Sequence, residues 1–265
     1  MYGRVDLMDF LRSCEEIARL VEDGIAGMAG TPASGTYVKM GADGTPTKRI
    51  DQVAEDIVVS YLRDHPLCGT LVSEECGTIP LGDGSGTLFL DPIDGTYNAV
   101  AGIPFYALSI AYAEEGTVTR GFVRDLGHRE TFYAEKGHGA YLNGQTVRVS
   151  RTKLLEESAI SVYGRKFNPG TVLKLGQKIR RWRLFGASAL ELCYVACGRL
   201  DGFIDLRDTL RITDAAAGML LCEEAGGLVS DLNGGVITFP NEVTVGKCLV
   251  ATNAVIHQKV IEYLR

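Results

Sequence analysis

Two aspartates three positions apart, Asp91 and Asp94, are the residues of this sequence best suited to chemistry. They belong to the segment LFLDPIDGT at residues 88–96, in which three apolar residues predict a short buried strand and Pro92 breaks that strand into a turn. Acids at a strand end face the crevices in which α/β folds bind ligands. Two carboxylates about 5 Å apart repel each other by roughly 3 kcal/mol at an effective dielectric constant near 20, so this pair needs a positive partner.

The turn ends in Gly95 and Thr96, which suit a phosphate group. Because Gly95 has no side chain, backbone N–H groups can approach an anion, and residues 97–100 are predicted to start a helix whose positive end attracts phosphate. Carboxylates beside a phosphate site indicate a divalent cation between them, and Mg²⁺ prefers such oxygen ligands. The alternative is an ordinary type I turn, which favours aspartate at its first position and proline at its second.

Further acids are predicted at comparable places in the fold. Glu74 follows a predicted strand at residues 69–73, Asp214 opens a predicted helix at residues 215–224, and Asp51 stands in the first turn of an earlier helix. For Asp51 the alternative is a charge that only stabilises the start of its helix. Several hard oxygen ligands predict two or three Mg²⁺ ions that grip a phosphate, whereas zinc would need histidine or cysteine.

These acids must be positioned by a large α/β scaffold. Apolar residues at helical spacing predict helices at residues 7–25 and from residue 50, with a hairpin around Asp43-Gly44 between them. The first half is predicted to form a large, mainly antiparallel sheet, with strands at residues 69–73, 88–90, 105–113, 118–125, 130–135, 139–142 and 159–162. In the second half, helices at residues 172–179, 189–197, 215–224 and 255–264 alternate with strands at residues 182–185, 203–206, 228–230 and 248–251. We expect two tightly packed halves, 1–150 and 151–265, without a linker.

Composition excludes several classes of function. The chain of 265 residues is 46% hydrophobic with a net charge of −6, which argues against general binding to nucleic acid or to an anionic membrane. No apolar run is long enough to span a bilayer. Seven cysteines without a C-x-x-C pair predict free thiols in a reducing compartment, so we expect a cytoplasmic protein.

Three segments carry a specific resemblance. Ser73-Glu74-Glu75, DPIDGT at residues 91–96 and RITDAAAG at residues 211–218 resemble the inositol monophosphatase family, within the lithium-sensitive, Mg²⁺-dependent sugar phosphatases. The likeness extends over essentially the whole chain. It implies a layered αβαβα sandwich of the fructose-1,6-bisphosphatase and inositol monophosphatase type, a homodimer, and hydrolysis of small phosphorylated polyols or sugars.

The resemblance also implies a role for each acid. Glu74, Asp91 and the Ile93 carbonyl would hold a first metal ion, and Asp91, Asp94 and Asp214 a second. Glu74 and a looser site near Asp51 would hold a third ion.

On the phosphate side, Gly95 and Thr96 would donate N–H groups, with Tyr97, Asp94 and Asp214 at the pocket wall. Thr96, hydrogen-bonded to Asp51, would help to activate the water that attacks phosphorus. No histidine base is required when metal ions activate the water. The four histidines agree, since they stand in loop-like or terminal positions with no partner pattern: His65, His128, His138 and His257. Two departures from the family pattern alter the pocket wall, namely Thr213 in place of the common tryptophan and Tyr97 after Thr96.

On the sugar side, the resemblance places Ser188 and Asp205 at the ring hydroxyls, although a strand-end surface acid is the alternative for Asp205. Arg181 and Arg183 belong to the densest basic cluster of the chain and would suit a second phosphate, together with Tyr163 and Arg165. The alternative is that these arginines only complement the end of the preceding helix.

The substrates expected from this arrangement are myo-inositol 1-phosphate and fructose 1,6-bisphosphate, as in the prokaryotic branch of the family that hydrolyses both. A nucleotidase for adenosine 3′,5′-bisphosphate and a non-catalytic interaction protein of the same fold are the alternatives.

Overall fold

The computed structural model describes residues 6–82, 85–163 and 169–265, so the predicted contact of Arg165 lies outside the described residues. The helices are α1 (Leu7–Gly24), α2 (Arg49–Asp64), α3 (Thr96–Ala101), α4 (Pro169–Gly176), α5 (Ser188–Ala196), α6 (Ile212–Glu224) and α7 (His257–Leu264). The strands of the first half are β1 (Tyr37–Met40), β2 (Pro46–Lys48), β3 (Thr70–Ser73), β4 (Gly77–Pro80), β5 (Thr87–Asp94), β6 (Ala107–Glu114), β7 (Thr117–Asp125), β8 (Glu130–Glu135), β9 (Gly139–Leu142) and β10 (Gln145–Val147). Those of the second half are β11 (Ala159–Tyr163), β12 (Arg181–Arg183), β13 (Gly202–Leu210), β14 (Gly227–Ser230) and β15 (Lys247–Asn253).

The first sheet has eight strands in the order β10-β9-β8-β7-β6-β5-β3-β4. Neighbouring strands in this sheet run antiparallel, except for β3 and β5, which run parallel to each other. The predicted mainly antiparallel sheet is therefore confirmed. Two short strands, β4 and β10, extend the predicted set at the two edges. Strand β5 does not end at Pro92 as predicted but continues to Asp94, with an irregularity in its pairing to β6 between Asp91 and Asp94.

The second sheet has five strands in the order β12-β11-β13-β15-β14. The prediction that the strand near residues 159–162 continues the first sheet is wrong, because β11 pairs in parallel with β12 and β13. All strands of the first sheet precede residue 150 and all strands of the second follow it. A division into halves near this point stays a prediction.

Helices fill the layers on both sides of each sheet. α1 and α2 cover one face of the first sheet through a buried cluster that includes Phe10, Ile17 and Tyr112. α5 and α6 lie between the two sheets and contribute to the buried clusters on both of their faces. α4 and α7 cover the outer face of the second sheet. The predicted αβαβα sandwich is thus confirmed.

The sequence of β5 is continuously apolar from Leu88 to Leu90 because helices cover both faces of this strand. Leu88 and Leu90 face the layer of α1 and α2, while Phe89 between them faces α5 and α6. Successive side chains of a strand point to opposite faces, and here both faces are covered by helices. The polar residues can therefore appear only where the strand leaves the core, at Asp91 and Asp94.

Gly121 on β7 lets α6 approach the first sheet closely. A Cβ at this position would lie 3.0 Å from the carbonyl oxygen and 3.1 Å from the Cα of Ala217. The backbones of β7 and α6 are therefore in direct contact, which fixes the height of α6 above the sheet. Among the described residues, no helix is both long and apolar enough to cross a bilayer, and the seven cysteines are free thiols.

Candidate active site

Three of the predicted acids converge at one edge of the first sheet. Ligand oxygens of Glu74, Asp91 and Asp214 all lie within 4.8 Å of one another. Glu74 and Asp91 meet because β3 and β5 are parallel with Ser73 opposite Leu90, so that both acids leave the sheet at the same edge. The fold therefore brings carboxylate oxygens from three separate segments close enough together to suit a metal ion.

Asp214 reaches this group from the first turn of α6. Its Oδ2 accepts the backbone N–H of Arg211 at 3.1 Å, and the Thr213 hydroxyl donates to its Oδ1 at 3.1 Å. An acid at the third helical position is favoured there because it pairs with a free backbone donor and with the helix dipole. Local helix chemistry thus orients this acid toward the other two.

Burial makes the concentration of negative charge costly. It raises the pKa of Asp91 well above its usual value, and the neighbouring Glu74, Asp94 and Asp214 raise it further. Burial also raises the pKa of Glu74, although Arg211 opposes that rise. Carboxylates that are buried together in this way favour either a proton or a bound cation.

Arg211 was not assigned a role by the sequence, yet its side chain contacts the acidic group directly. Its Nη2 lies 2.7 Å from Oε1 of Glu74 and 3.1 Å from Oδ1 of Asp214, and its Nη1 pairs with Asp43 of the β1–β2 turn. Burial alone would lower the pKa of Arg211, but Asp214 and Glu74 raise it well above its usual value. Its position three residues before Asp214 was the available signal.

Asp51 and Thr96 form the hydrogen-bonded pair that the resemblance implies. The Thr96 hydroxyl lies 2.9 Å from Oδ1 of Asp51 and 3.1 Å from the Ile93 carbonyl oxygen, and the backbone N–H of Lys48 donates to Oδ2 of Asp51 at 2.9 Å. Burial raises the pKa of Asp51 to about 7, with a further contribution from Glu74. Asp51 is thus a carboxyl group whose protonation changes near neutral pH.

The backbone between Asp91 and Thr96 turns sharply at Gly95. This residue has φ of 88°, and a Cβ on it would lie 2.9 Å from that of Ala187. A left-handed conformation and a close neighbour both require glycine here. The Ile93 N–H donates to Oδ1 of Asp91 at 3.1 Å, which fixes that carboxylate from its own strand.

Asp94 lies beside the three acids but bonds to the second half of the chain. Its oxygens accept the N–H groups of Ser188 at 3.0 Å and Ala189 at 2.7 Å, at the start of α5. Burial raises its pKa well above its usual value, and Asp214 adds to that rise. Asp94 as a metal ligand and Ser188 as a sugar contact stay predictions. What the geometry gives is a link between the DPIDGT segment and α5.

Asp205, which was predicted to lie on the sugar side, pairs with an arginine that the sequence reasoning missed. Its Oδ2 accepts from Nη2 of Arg207 at 2.5 Å, and Asp205 itself is fully buried. The guanidinium carbon of Arg207 lies 3.7 Å from the ring centre of Tyr163. About 20% of the Arg207 side chain is exposed, whereas the Asp205 side chain is fully buried, so Arg207 is the accessible member of this pair. The two-residue spacing along β13 was the available signal.

The remaining predicted contacts lie at the surface. Arg181 and Arg183 are exposed on the edge strand β12, and within the described residues neither contacts the acids of the site. Tyr97 is 80% exposed. Their roles in binding substrate stay predictions.

Among the described residues, two histidines hydrogen-bond to other side chains, and His128 is one of them, with its Nδ1 3.0 Å from Oδ2 of Asp125. His257 is buried between the hydroxyls of Ser230, at 2.9 Å, and Thr252, at 2.8 Å. It begins α7, which covers the outer face of the second sheet, away from the helix layer that carries Asp214.

This architecture, with its acids gathered where β3, β5 and α6 meet, defines a phosphatase of the inositol monophosphatase and fructose-1,6-bisphosphatase type. A solved structure described as inositol monophosphatase-fructose 1,6 bisphosphatase superposes with a TM-score of 0.89, covering 97% of this chain and 99% of that one at 32% identity.

The sequence comparisons agree. The profile of the inositol monophosphatase family matches residues 15–265. The fructose-1,6-bisphosphatase/inositol-1-monophosphatase of Methanothermobacter thermautotrophicus is 40% identical over 264 residues, which cover 94% of each chain. The bifunctional NADP phosphatase/NAD kinase of Methanococcus maripaludis is 34% identical over 96% of this chain, which spans 49% of that protein. The chain belongs to the inositol monophosphatase family, and the predicted family and enzyme class are confirmed.

Proposed function

We propose that this protein hydrolyses phosphomonoesters with the aid of Mg²⁺, with myo-inositol 1-phosphate and fructose 1,6-bisphosphate as substrates. The observation that carries the proposal is the convergence of Glu74, Asp91 and Asp214 beside the Gly95–Thr96 turn. Relatives named for these two activities support the choice of substrates.

The donor set fits Mg²⁺. Carboxylates, with the Ile93 carbonyl, offer only oxygen, which a hard cation prefers, and no histidine or cysteine belongs to the group. Glu74, Asp91, Asp94 and Asp214 would hold the ions, and two or three ions per subunit remain our expectation. When bound, Mg²⁺ lowers the pKa of water and neutralises the charge of phosphate oxygens.

The residues around the cation would supply the rest of the reaction. The N–H groups of Gly95 and Thr96 would bind phosphate oxygens, as oriented backbone donors do at other anion sites. Thr96 would hold the attacking water and pass its proton toward Asp51, whose Oδ1 accepts the Thr96 hydroxyl at 2.9 Å. Water attacks phosphorus, the ester P–O bond breaks, and the released alcohol takes up a proton.

Arg207 would face the sugar side of the substrate. Asp205 and the Tyr163 ring hold its guanidinium in place, and a fixed planar fork suits a second phosphate or a pair of ring hydroxyls. Arg181, Arg183 and Ser188 were predicted to make the same contacts with the substrate and are the alternatives to Arg207. Only fructose 1,6-bisphosphate carries a second phosphate, so a residue that binds this phosphate should affect fructose 1,6-bisphosphate more than myo-inositol 1-phosphate.

Release of inorganic phosphate tests the proposal. The assay compares both substrates with Mg²⁺ and with EDTA, for the wild type, for Asp91→Asn and for Asp64→Asn, a control at an exposed aspartate of α2. We expect activity only with Mg²⁺. We also expect a loss of at least about 100-fold in Asp91→Asn, since this change removes a proposed ligand of the cation that stabilises the charge of the phosphate oxygens. Equal turnover in EDTA, or normal turnover of Asp91→Asn, would contradict the proposal.

Phosphorylated nucleotides are a second candidate substrate class. The observation in their favour is the similarity to the phosphatase-containing bifunctional protein of Methanococcus maripaludis. Including NADP and adenosine 3′,5′-bisphosphate in the same assay tests it, and preference for either would displace the sugar phosphates. No release from any substrate would favour a non-catalytic interaction protein.

A homodimer and a cytoplasmic location complete the proposal. Both rest on the resemblance and on composition. Light scattering after size-exclusion chromatography should give twice the chain mass of 28.6 kDa, and a single chain mass would contradict the dimer.

A further inference from the structure

One partly buried arginine, Arg211, lies against the acidic centre, and the sequence analysis gave it no role. Arg211 precedes α6, and only 18% of its side chain is exposed. Its Nη2 contacts Glu74 at 2.7 Å and Asp214 at 3.1 Å, its Nε contacts Asp214 at 3.1 Å, and its Nη1 pairs with Asp43. All three nitrogens of the guanidinium group thus serve acids, and these acids come from three separate segments.

Two of these acids belong to the group that fits a divalent cation. Glu74 and Asp214 offer ligand oxygens within 4.8 Å of each other and of Asp91. A guanidinium group and a divalent cation repel each other, and Arg211 already contacts both oxygens of Asp214 and one oxygen of Glu74. Arg211 and the cation are therefore alternative partners for Glu74 and Asp214.

Asp43 holds Arg211 in this position from the opposite side. Its side chain is 1% exposed and accepts from the Thr45 N–H at 2.8 Å and the Thr45 hydroxyl at 2.7 Å. The adjacent Ala42 N–H donates to the Glu75 carbonyl at 3.2 Å, so the β1–β2 turn rests on the segment that carries Glu74. The guanidinium group is therefore fixed by both halves of the chain.

We propose that Arg211 is a positioning residue that competes with the divalent cation at Glu74 and Asp214, and so limits the affinity of the site for the cation. Before the cation binds, Arg211 neutralises these two acids and keeps them close together. When it binds, Arg211 gives up their oxygens. This inference rests on the proposed metal dependence.

Calorimetric titration with Mn²⁺, and with Mg²⁺ in competition, measures this exchange directly on the full chain. We expect Arg211→Gln to bind Mn²⁺ about tenfold more tightly than the wild type, because the competing cation is gone. Arg211→Lys keeps a charge but not the planar fork, so an intermediate affinity is expected. The matched control is Arg207→Gln, which removes another partly buried arginine that pairs with Asp205 and not with Glu74 or Asp214.

The possible outcomes are distinct. Weaker or equal Mn²⁺ binding by a folded Arg211→Gln would show that Arg211 supports the site, and equal tightening in Arg207→Gln would show a general charge effect; either overturns the inference. If Arg211→Gln does not fold, as judged by circular dichroism, the Arg211→Lys titration decides the question in the same way. A wild type that binds neither ion and releases no phosphate overturns the proposed function as well, whereas wild-type binding with an unchanged variant overturns only this inference.

Discussion

Glu191 on α5 provides a quantitative test of the electrostatics of the interior. Its Oε1 accepts from the Ser161 hydroxyl at 2.5 Å and from the Phe185 N–H at 2.7 Å, whereas its buried Oε2 has no hydrogen-bond partner among the described residues. Burial raises the pKa of Glu191 from 4.5 to about 7. The folded protein therefore keeps this group neutral over a range in which the unfolded chain has lost the proton.

The sign of the effect on stability follows from proton binding. Between pH 4.5 and pH 7 the folded state binds more protons at Glu191 than the unfolded state, so the free energy of unfolding falls as the pH rises. The favourable contribution is complete below pH 4.5 and is lost as the pH passes through 7. The difference between the folded and unfolded pKa values of Glu191 corresponds to about 3 kcal/mol in the free energy of unfolding. Most of this contribution is lost between about pH 5 and pH 8.

Glu191→Gln should remove this loss. The amide can accept from Ser161 and Phe185 as the neutral carboxyl group does, and its NH₂ replaces a carboxyl O–H that also lacks a partner. Any effect of the substitution on packing is thus similar at all pH values, and it cancels when the difference in stability between variant and wild type is compared at two pH values.

The assay is thermal unfolding of the wild type and Glu191→Gln from pH 5 to pH 8, with Glu156→Gln as a control at an exposed glutamate. At roughly 2–4 °C per kcal/mol for a chain of this size, the variant should gain about 5–10 °C relative to the wild type between these pH values. A difference in Tm that does not change with pH, or that favours the wild type at pH 8, would refute the reasoning.

Four further results are expected. Thr96→Val should lower kcat about 100-fold with little change in KM, measured by phosphate release, because the hydroxyl proposed to orient the water is lost, whereas Thr96→Ser should retain most activity. Arg207→Gln should raise KM for fructose 1,6-bisphosphate about tenfold more than KM for myo-inositol 1-phosphate, and the same change in Arg181→Ala instead would favour the exposed arginine. Gly121→Ala should destabilise the fold by about 1–3 kcal/mol in urea titration, because a Cβ meets the backbone of α6; an unchanged midpoint would contradict that contact. Mg²⁺ at 100 times its Kd should stabilise the protein by about 2.7 kcal/mol, and EDTA should remove that gain in Tm.

Much of the fold could be predicted because its signals are local. Amphipathic spacing located α1 and α2, and short apolar segments located most strands of the first sheet. The αβαβα arrangement was implied by the family motifs, and it is confirmed. The assignment of β11 to the first sheet was wrong, since a short apolar strand carries no local record of its partner, and β11 pairs with β12 and β13 instead.

Some residues of the candidate site could be predicted from the sequence, and others could not. The acids Glu74, Asp91 and Asp214 were found from their places at the ends of predicted elements, and Gly95 from its turn. Arg207 and Arg211 were not found, because an arginine near an acid in sequence is usually solvated. Only the packed structure buries these two against Asp205 and against the acidic centre.

The sequence alone determined which residue types stand at the edge of the core, since element starts and ends follow from short-range periodicity, turn geometry and capping. Tertiary structure decided which of them meet: the parallel register of β3 and β5 places Glu74 beside Asp91, and the approach of α6 adds Asp214. It also decided the charge balance of the site, because desolvation and Coulomb energy depend on distances between residues far apart in the chain.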